Sequence, residues 1–481
     1  MDKSLGYNRR CAPPVLVSPD DRKSGRKSNC FNADTIESMA SIYPFRAWRY
    51  NPSVVRLDEV VTQPYDKISP AMQQAYYQRS SYNLVRIILG LPELFDAERG
   101  ESVYTRAAAD FQAWRAQGVL AQEKAPCVFA YAQRFQVPGS DVVKERRGFI
   151  ALGKLHDYAD QIVFRHEQTL AKPKNDRLNL LKATHAHFGQ IFMLYSDPAQ
   201  SVEKILYDGD SAADAEVTDE YDVLHRLWRV SDPATIRLLT AEMADKKLII
   251  ADGHHRYETA LQYAKEHPPS PPRVTAKNEH STSELPQPAY PEAAVMMTLV
   301  NMDSDGLTIL PTHRLLHSLG DFDEAAFARA KEYFDVEVLP GCGDAASYLE
   351  TLKAQKGTAF VAVTRNAAFL MRAKPEAAAA LADLPEHQRK LDLSYLHSIV
   401  LEKLLGLDAE KMREETNVRY LRDAAEAVEQ VRRGEADIVF LTNPVTLEQI
   451  KEAAFGGSVM PQKSTDFYPK LLSGLAIYAL D

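Results

Sequence analysis

Lys247-Leu-Ile-Ile-Ala-Asp-Gly-His-His-Arg-Tyr-Glu-Thr-Ala-Leu-Gln-Tyr-Ala264 is the stretch that decides the fold. Residues 248–250 are a short apolar run, which is typical of a buried strand. From Tyr257 onward, apolar residues recur at helical spacing. The stretch therefore predicts a strand that turns sharply into a helix.

The Asp-Gly-His-His-Arg box (residues 252–256) lies between this strand and this helix. A helix N-terminus exposes unpaired N–H groups and carries roughly half a positive charge, so it attracts anions. Arg256 and two histidines in the first turn oppose the helix dipole unless an anion is bound there. The box therefore predicts a phosphate site. The alternative is a satisfied turn in which Asp252 accepts backbone N–H bonds and the histidines lie at the surface.

Length and composition describe a globular protein with more than one core. At 481 residues the chain favours two packed units. Its net charge of -9 argues against broad nucleic-acid binding, which needs a basic surface. Its four cysteines form no C-x-x-C pair, and no apolar run approaches the ~20 residues that a membrane-spanning helix needs. We therefore expect a cytoplasmic protein without nucleic-acid or membrane partners.

The texture of the sequence changes near residues 40 and 320. Residues 1–40 mix basic residues with Pro, Ser, Asp and Asn without apolar periodicity, which predicts a disordered extension. Residues 41–320 predict alternating strands and helices, including a strand at 84–89 and a flexible proline-rich loop at 267–290. Residues 321–481 predict a C-terminal α/β region. The predicted fold class is therefore mixed α/β.

A second cluster of charges lies between residues 164 and 177. It sets the carboxylate of Glu167 among several cations. Cations on such a loop suit an anionic ligand, and an embedded carboxylate suits proton abstraction or metal binding. The alternative is a solvated helix entrance with surface ion pairs. The cations and histidine of the cluster are Arg165, His166, Lys172, Lys174 and Arg177.

Two further clusters have the same chemical character. Thr312-His-Arg314 predicts either a helix capped by Thr312, or two side chains, His313 and Arg314, that reach the same phosphate. Residues 460–470 contain two lysines, Lys463 among them, next to Ser, Thr and Asp. They predict a loop that folds back over the site, or alternatively a C-terminal hairpin packed by aromatic side chains.

The box and its surroundings resemble the core motif of a large bacterial family known as a domain of unknown function, DUF1015. Other landmarks resemble that family in the same order, from about residue 42 to the C-terminus. The landmarks are Pro44-Phe-Arg-Ala47, Pro64-Tyr-Asp66, Phe164-Arg-His-Glu167, Asp176-Arg177, Leu310-Pro-Thr-His-Arg314 and Phe467-Tyr-Pro-Lys470.

The same box is similar to that of the free-serine kinases and, more loosely, to the Gly-x-x-Arg turn of ParB-like and sulfiredoxin-like proteins. The resemblance implies a ParB/sulfiredoxin-like core in which the turn and the helix N-terminus hold the phosphates of a nucleotide. It implies that Asp252 holds Mg²⁺ or activates an acceptor hydroxyl, and that Glu167 corresponds to the upstream base of the kinases. The DNA-binding helix-turn-helix of ParB-type proteins is not visible in the sequence.

These patterns predict a phosphotransferase that moves a phosphoryl group from ATP, ADP or pyrophosphate to a hydroxyl of a small metabolite, serine-like by resemblance. Such transfer needs positioning and charge neutralisation more than covalent chemistry. Asp252 and Glu167 are the expected catalytic carboxylates, with Mg²⁺ at Asp252. The residues expected to bind phosphate or nucleotide are Gly253, His254, His255, Arg256, Arg165, His166, Lys172, Arg177, His313, Arg314 and Lys463.

Two other classes of function stay open. One is a nucleotide-binding regulatory or scaffold protein that transfers nothing. The other is a metal-dependent phosphohydrolase in which His254, His255 and Asp252 are metal ligands. The identity of the donor, the acceptor and the oligomeric state stay open as well.

Overall fold

A computed structural model describes residues 40–481, except residues 94–95, 97–99, 168–170, 208, 210, 270–283, 321–328, 341–342, 408–411, 413–415 and 462. The predicted N-terminal extension therefore lies outside the described residues, up to residue 39. So does the middle of the predicted proline-rich loop.

A nine-stranded mixed sheet carries the box. Its strands run in the order Val163–Phe164, Leu248–Asp252, Ile191–Tyr195, Ala294–Asn301, Val143–Lys154, Val128–Gln136, Leu224–Val230 and Ala215–Thr218, and Ile42–Tyr43 also pairs with Val143–Lys154. Two pairings are parallel, those of Leu248–Asp252 with Val163–Phe164 and of Ala294–Asn301 with Ile191–Tyr195. The other pairings are antiparallel.

The second large sheet has six strands and is antiparallel. Its order is Phe334–Leu339, Ala368–Ala373, Ala359–Thr364, Ile438–Leu441, His313–Leu316 and Val418–Leu421. Three small ribbons join distant parts of the chain: Thr308–Leu310 with Asp466–Tyr468, Trp48–Tyr50 with Leu120–Gln122, and Ala186–His187 with Tyr478–Ala479. Both large sheets lie within one unit, and the domain boundary expected near residue 320 stays a prediction.

The α-helices of the described residues pack on these sheets and on one another. They are Leu57–Val60, Pro70–Arg79, Val85–Ile88, Val103–Ala116, Ala171–Thr184, Ser201–Leu206, Pro233–Met243, His254–Glu266, Ala345–Lys353, Pro375–Ala380, Glu386–Arg389, Asp392–Tyr395, Ala424–Arg433 and Leu447–Phe455. Leu396–Leu404 is a π-helix, and Tyr65–Lys67, Tyr158–Asp160 and Pro291–Ala293 are single 3₁₀ turns. Strands and helices together confirm the mixed α/β class.

The strand predicted at residues 84–89 is wrong, because Val85–Ile88 is a short helix. The side chain of Asn83 accepts a hydrogen bond from the backbone N–H of Val85, 3.0 Å away, at the start of that helix. Ile87 and Ile88 are buried beside Phe111 of a neighbouring helix. A short apolar run fits a strand and a buried helical turn equally well, and tertiary packing decided between them.

The predicted change from strand to helix in the box is confirmed. The strand Leu248–Asp252 ends in the box, and only Gly253 separates it from the helix His254–Glu266. The pairing of the strand Leu248–Asp252 with Ile191–Tyr195 shifts register between Ile250 and Asp252. Such a bulge redirects a side chain at the end of a strand. The helix then buries Tyr257 and further apolar residues of the predicted stripe against the sheet.

Among the described residues, no helix combines the length and the hydropathy that a membrane-spanning segment requires.

Candidate anion-binding site

Gly253 makes the sharp turn of the box possible. Its φ of 93° is in the left-handed region, which glycine adopts without the steric cost that other residues have. A Cβ atom at this position would lie 3.1 Å from the guanidinium carbon of Arg256. The turn is followed directly by a 13-residue helix whose N-terminus has no side-chain cap, and the helix dipole favours an anion there.

The box borders a small pocket of about 70 Å³, here named the box pocket. Four cations line it, together with three carboxylates and two histidines, so that positive charge is in excess when the histidines are neutral. The lining residues are Tyr65, Asp66, Lys67, Glu167, Asp252, Gly253, His254, His255, Arg256, Lys463, Thr465 and Lys470.

Asp252 forms ion pairs inside the box pocket. Its carboxylate lies 3.2 Å from Nη2 of Arg256 and 3.9 Å from Nζ of Lys470. Burial acts to raise the pKa of Asp252, but the charges of Lys470, Arg256 and Lys67 outweigh it and hold the pKa well below its ordinary value. Asp252 is therefore ionised at neutral pH and orients the cations around it.

Arg256 points back beneath the turn. Besides its contact with Asp252, it donates a hydrogen bond to the backbone carbonyl of Gln190. Its side chain is 15 % exposed, so it lines the pocket but is held by protein acceptors. Arg256 therefore holds Asp252 in place, and the other cations of the pocket are Lys67, Lys463 and Lys470.

Lys67 and Lys470 bring two like charges together. The charge of Lys470 lowers the pKa of Lys67, and burial lowers it further. Lys470 is nearly buried and lies 3.1 Å from a carboxylate oxygen of Asp466. Burial would lower the pKa of Lys470, but Asp252 and Asp466 outweigh burial and raise it. Two adjacent ammonium groups repel each other, and an anion between them removes that cost.

The histidines of the box are neutral hydrogen-bonding groups. His254 is buried and its ring centroid lies 4.9 Å from that of His166. Burial, followed by the neighbouring His166, lowers the pKa of His254 well below its ordinary value. Burial also lowers the pKa of His255. Nε2 of His254 is buried and has no hydrogen-bond partner among the described residues.

Glu167 reaches the box pocket from the second predicted cluster. Its carboxylate accepts a hydrogen bond of 2.8 Å from the backbone N–H of Lys463. The preceding His166 is buried, and its Nε2 lies 2.9 Å from the hydroxyl oxygen of Thr465. This segment and residues 460–465 therefore form one wall of the pocket together.

Two cations of the same cluster lie elsewhere. Arg165 is exposed and lies 3.3 Å from Glu258, on the outside of the box helix. Arg177 binds Asp176 and the carbonyl of Ile88, and its guanidinium lies 4.0 Å from the ring centroid of Tyr65. Arg177 borders a separate cavity of about 60 Å³ behind the box. The side chain of Lys172 lies outside the described part of the structure.

His313 and Arg314 also lie outside the box pocket. They begin a strand of the six-stranded sheet, so Thr312 caps no helix. Both are fully buried, and Nδ1 of His313 accepts a hydrogen bond from the backbone N–H of Thr442. Arg314 donates to the backbone carbonyl of Lys463, 3.2 Å away. Arg314 thus contacts the protein segment that lines the pocket, and the structure does not bring its guanidinium to the pocket itself.

A larger cleft of about 600 Å³ adjoins the box pocket. The two share five lining residues, which include Lys67, Lys463 and Lys470. The lining of the cleft also includes the aromatic side chains of Tyr221 and Tyr420. A ligand whose anionic group occupies the box pocket therefore has room for a larger uncharged part in the cleft.

Several pocket residues were not among the predicted site residues. Three of them come from Pro64-Tyr-Asp66, which the sequence marks only as a landmark, and its neighbour Lys67; the charged residues at the end of that landmark are the signal that could have found them. The other two, Thr465 and Lys470, belong to the cluster at residues 460–470 that was expected to fold back over the site, but they were not named as site residues. The missed residues are Tyr65, Asp66, Lys67, Thr465 and Lys470.

No group of three or more His, Cys, Asp or Glu side chains that could hold a metal ion occurs among the described residues. The box pocket nevertheless contains carboxylates that could share Mg²⁺ with a phosphate, because Mg²⁺ is often bound by one or two carboxylates together with substrate phosphates.

The sequence matches the family model described as "Protein of unknown function (DUF1015)" over residues 42–394, well over half of its length. The chain belongs to this family. The box lies inside the matched region, whereas residues 463–470 lie beyond it. No match to this DUF1015 protein is found among curated proteins.

Solved structures with some likeness to this DUF1015 protein include a mutant of free serine kinase in complex with AMP. It is 15 % identical, the match covers 65 % of this chain and 89 % of that chain, and the TM-score is 0.33. SbnI with a C-terminal truncation, from Staphylococcus aureus, is 9 % identical, with 67 % and 85 % covered and a TM-score of 0.33. A conserved hypothetical protein from Pyrococcus furiosus is 13 % identical, with 66 % and 91 % covered and a TM-score of 0.32. These scores are too low to carry an argument, so a ParB/sulfiredoxin-like core stays a prediction.

Proposed function

We propose that this protein is a phosphotransferase that moves a phosphoryl group from a nucleotide or pyrophosphate to a hydroxyl of a small metabolite. One observation carries the proposal: the N-terminus of the box helix and an excess of cations meet in one small pocket. A phosphate group of two negative charges satisfies both the helix dipole and the paired lysines.

The lysines are the groups that would hold the phosphates. Lys67, Lys463 and Lys470 border both the box pocket and the cleft. They would neutralise charge on a phosphoryl group that is transferred between ligands occupying the two spaces. Neutralising that charge and aligning the two ligands is most of what phosphoryl transfer requires.

The two predicted catalytic carboxylates have different surroundings. Asp252 is paired with Arg256 and Lys470, so we assign it the role of orienting these cations. Glu167 makes no ion pair with the described side chains, and one of its oxygens accepts a backbone N–H bond. We therefore assign Glu167 the role of accepting the proton of the acceptor hydroxyl. The hydroxyl oxygen attacks the phosphorus of the donor, and the bond from that phosphorus to the bridging oxygen breaks, so that the shortened nucleotide or phosphate leaves.

Mg²⁺ would arrive with the phosphates of the donor and would neutralise part of their charge. Because Asp252 is already paired with cations and Glu167 is assigned to the acceptor proton, Asp66 is the pocket carboxylate more open to such an ion. This reasoning moves the expected metal ligand away from Asp252.

The cleft would hold the uncharged part of the donor or the acceptor. Its wall includes polar side chains such as Gln63, Ser69 and Thr312, which suit a hydroxylated ligand. A serine-like acceptor rests on the resemblance of the box alone.

The test begins with calorimetry of ATP, ADP and pyrophosphate binding, each with and without Mg²⁺. We expect one of them to bind, and Lys463→Met to weaken that binding by about tenfold, since one phosphate contact is lost. Lys265→Met is the matched control, because Lys265 is exposed and pairs with Asp157 outside the pocket. Equal affinity in both variants would contradict the assigned site.

Catalysis is tested separately, by ³¹P NMR of the donor in the presence of mixed small hydroxyl acceptors. Glu167→Gln should lower turnover by about a hundredfold or more while donor affinity changes little, as expected for loss of a general base. Donor binding without any donor consumption would instead favour the nucleotide-binding regulatory protein. Hydrolysis of the donor without an acceptor, lost on chelation, would favour the metal-dependent phosphohydrolase.

A further inference from the structure

Residues 463–470, here named the lysine segment, carry two of the pocket cations at their two ends, Lys463 and Lys470. Asp466–Tyr468 in the middle is a short strand that pairs with Thr308–Leu310. The segment has no helix to hold it in place. What fixes the position of its two ends therefore matters for the pocket.

Arg146 holds the end that carries Lys470. Its side chain is buried, and it donates hydrogen bonds to the carbonyl oxygens of Tyr468, at 3.2 Å, and Pro469, at 2.5 Å. It also donates to the side-chain oxygen of Gln133, whose amide nitrogen donates to the carbonyl of Lys470 at 2.8 Å. Arg146 and Gln133, two buried residues of the nine-stranded sheet, thus bind the consecutive carbonyl groups of residues 468–470.

Arg314 holds the end that carries Lys463. It lies on the six-stranded sheet, is fully buried, and donates to the carbonyl oxygen of Lys463 at 3.2 Å. Its Nε lies 3.3 Å from Nε2 of His397 in the π-helix, and it also donates to the carbonyl of Thr312. Burial keeps His397 neutral by lowering its pKa, so that it can accept this hydrogen bond.

The two arginines share an unusual environment. Burial lowers the pKa of each to about 10, so both remain charged at neutral pH. A buried charge is costly unless its hydrogen bonds are well made. Neither arginine lines the box pocket or the cleft. Packing alone would be served as well by apolar side chains, so their charge and planar donor geometry call for another reason.

We propose that Arg146 and Arg314 are positioning residues, which set the affinity of the box pocket for a phosphate ligand by holding the two ends of the lysine segment. The proposal rests on the proposed function for its ligand. Each arginine belongs to a different sheet, so the pocket has its cations in place only when both sheets are correctly formed.

The first test is a double-mutant cycle between Arg314 and Lys463, with calorimetry of the tightest of ATP, ADP and pyrophosphate. Arg314→Met should weaken binding about tenfold in the natural chain, but less than about twofold in Lys463→Met, because it acts through that lysine. Additive losses would overturn the proposal, since a general loss of structure weakens binding in both backgrounds. The same cycle applies to Arg146 and Lys470.

Hydrogen exchange gives a second readout that does not depend on any ligand. Arg314→Met should speed exchange of the amides of the lysine segment by about tenfold or more while the box helix keeps its protection. Arg106→Met is the control, because Arg106 donates to the carbonyl of Leu91 far from the segment. Unchanged exchange in the segment would overturn the proposal.

The two readouts separate the two proposals. If the natural chain binds no phosphate ligand, the proposed function is contradicted. If the arginine variants nevertheless exchange faster in the lysine segment, the arginines still hold that segment, but not for a phosphate ligand. Where the methionine variants do not fold, Arg146→Lys and Arg314→Lys keep the charge but lose the planar fork. They should show the same pattern in the same direction, and natural exchange rates in both would overturn the proposal.

Discussion

The box and the lysine segment line the same pocket and are built in opposite ways. The box is a local structure, in which a strand, a glycine at φ 93° and a helix follow one another within residues 248–266. The lysine segment is held from a distance, by Arg146 and Arg314 on two different sheets. One region takes its shape from its neighbours in sequence, and the other takes it from residues far away in the chain.

The difference teaches where the cations of the pocket come from. Arg256 of the box is paired with Asp252 and Gln190, so the box provides the backbone dipole and an oriented carboxylate. The lysine segment provides ammonium groups beside Lys67. A pocket assembled from both kinds of region should fail in different ways when each is altered.

The largest expected effect concerns pH and His313, the neighbour of Arg314 on the six-stranded sheet. Burial, followed by the charge of Arg314, lowers the pKa of His313 to about 4 from 6.5. Between these values the unfolded chain binds a proton that the folded chain does not, so this group should cost about 3 kcal/mol of stability as pH falls from ~6.5 to ~4.

Urea unfolding at several pH values measures this loss. His313→Gln keeps an acceptor for the Thr442 N–H but cannot titrate, so its stability should fall less steeply over the same pH range. Parallel curves for the two chains would show that His313 is not the group responsible.

Gly253→Ala should break the box. An L-residue in the left-handed region costs about 1–2 kcal/mol, and the added Cβ would press on the Arg256 guanidinium. We expect phosphate-ligand affinity to fall about a hundredfold, which is about 2.7 kcal/mol. Gly118→Ala is the matched control, because Gly118 has a φ of 73° and open space around its Cβ position. Similar loss of ligand affinity in both variants would contradict a special role for the turn.

Lys470→Met should weaken the other region. It removes one cation of the pocket and one partner of Asp252, so we expect about tenfold weaker binding by calorimetry and a rise in the pKa of Asp252. The ¹³C chemical shift of the labelled Asp252 carboxylate reports the second effect. An unchanged Asp252 titration would mean that the two regions are not electrostatically coupled.

Arg165→Gln should have the smallest effect. Arg165 is exposed on the outside of the box helix and pairs with Glu258. Arg165 lines neither the box pocket nor the cleft, so ligand affinity should change less than about twofold. A tenfold loss of affinity would mean that Arg165 reaches the ligand and moves towards the box pocket when the ligand binds.

Sequence patterns predicted well what depends on neighbouring residues. The strand, the turn and the helix of the box are confirmed, and so is the mixed α/β class. The short run at residues 84–89 was misassigned, because its apolar residues suit a buried helical turn as well as a strand. The membership of DUF1015 is confirmed by the match over residues 42–394.

Sequence patterns predicted less about which charged side chains meet. They grouped Arg165, Glu167 and Arg177 because these residues are close along the chain, yet of these three only Glu167 lines the box pocket. They missed Lys67, and they placed Lys470 in a cluster without naming it as a site residue. These two lysines lie more than 400 residues apart, and their charges interact in the fold. Long side chains can point to either side of an element, so proximity in sequence does not decide their partners.

By itself the sequence determined the box, because an apolar run, a glycine and helical spacing act through the backbone of consecutive residues. Only the tertiary structure decided that His313 and Arg314 face inward. It also decided that residues 463–470 reach the box, where the sequence had left a loop over the site and a C-terminal hairpin open. Those outcomes depend on two sheets meeting, and on buried donors finding carbonyl oxygens more than a hundred residues away. No local pattern encodes such a pairing, because either partner could satisfy its hydrogen bonds elsewhere until the chain has folded.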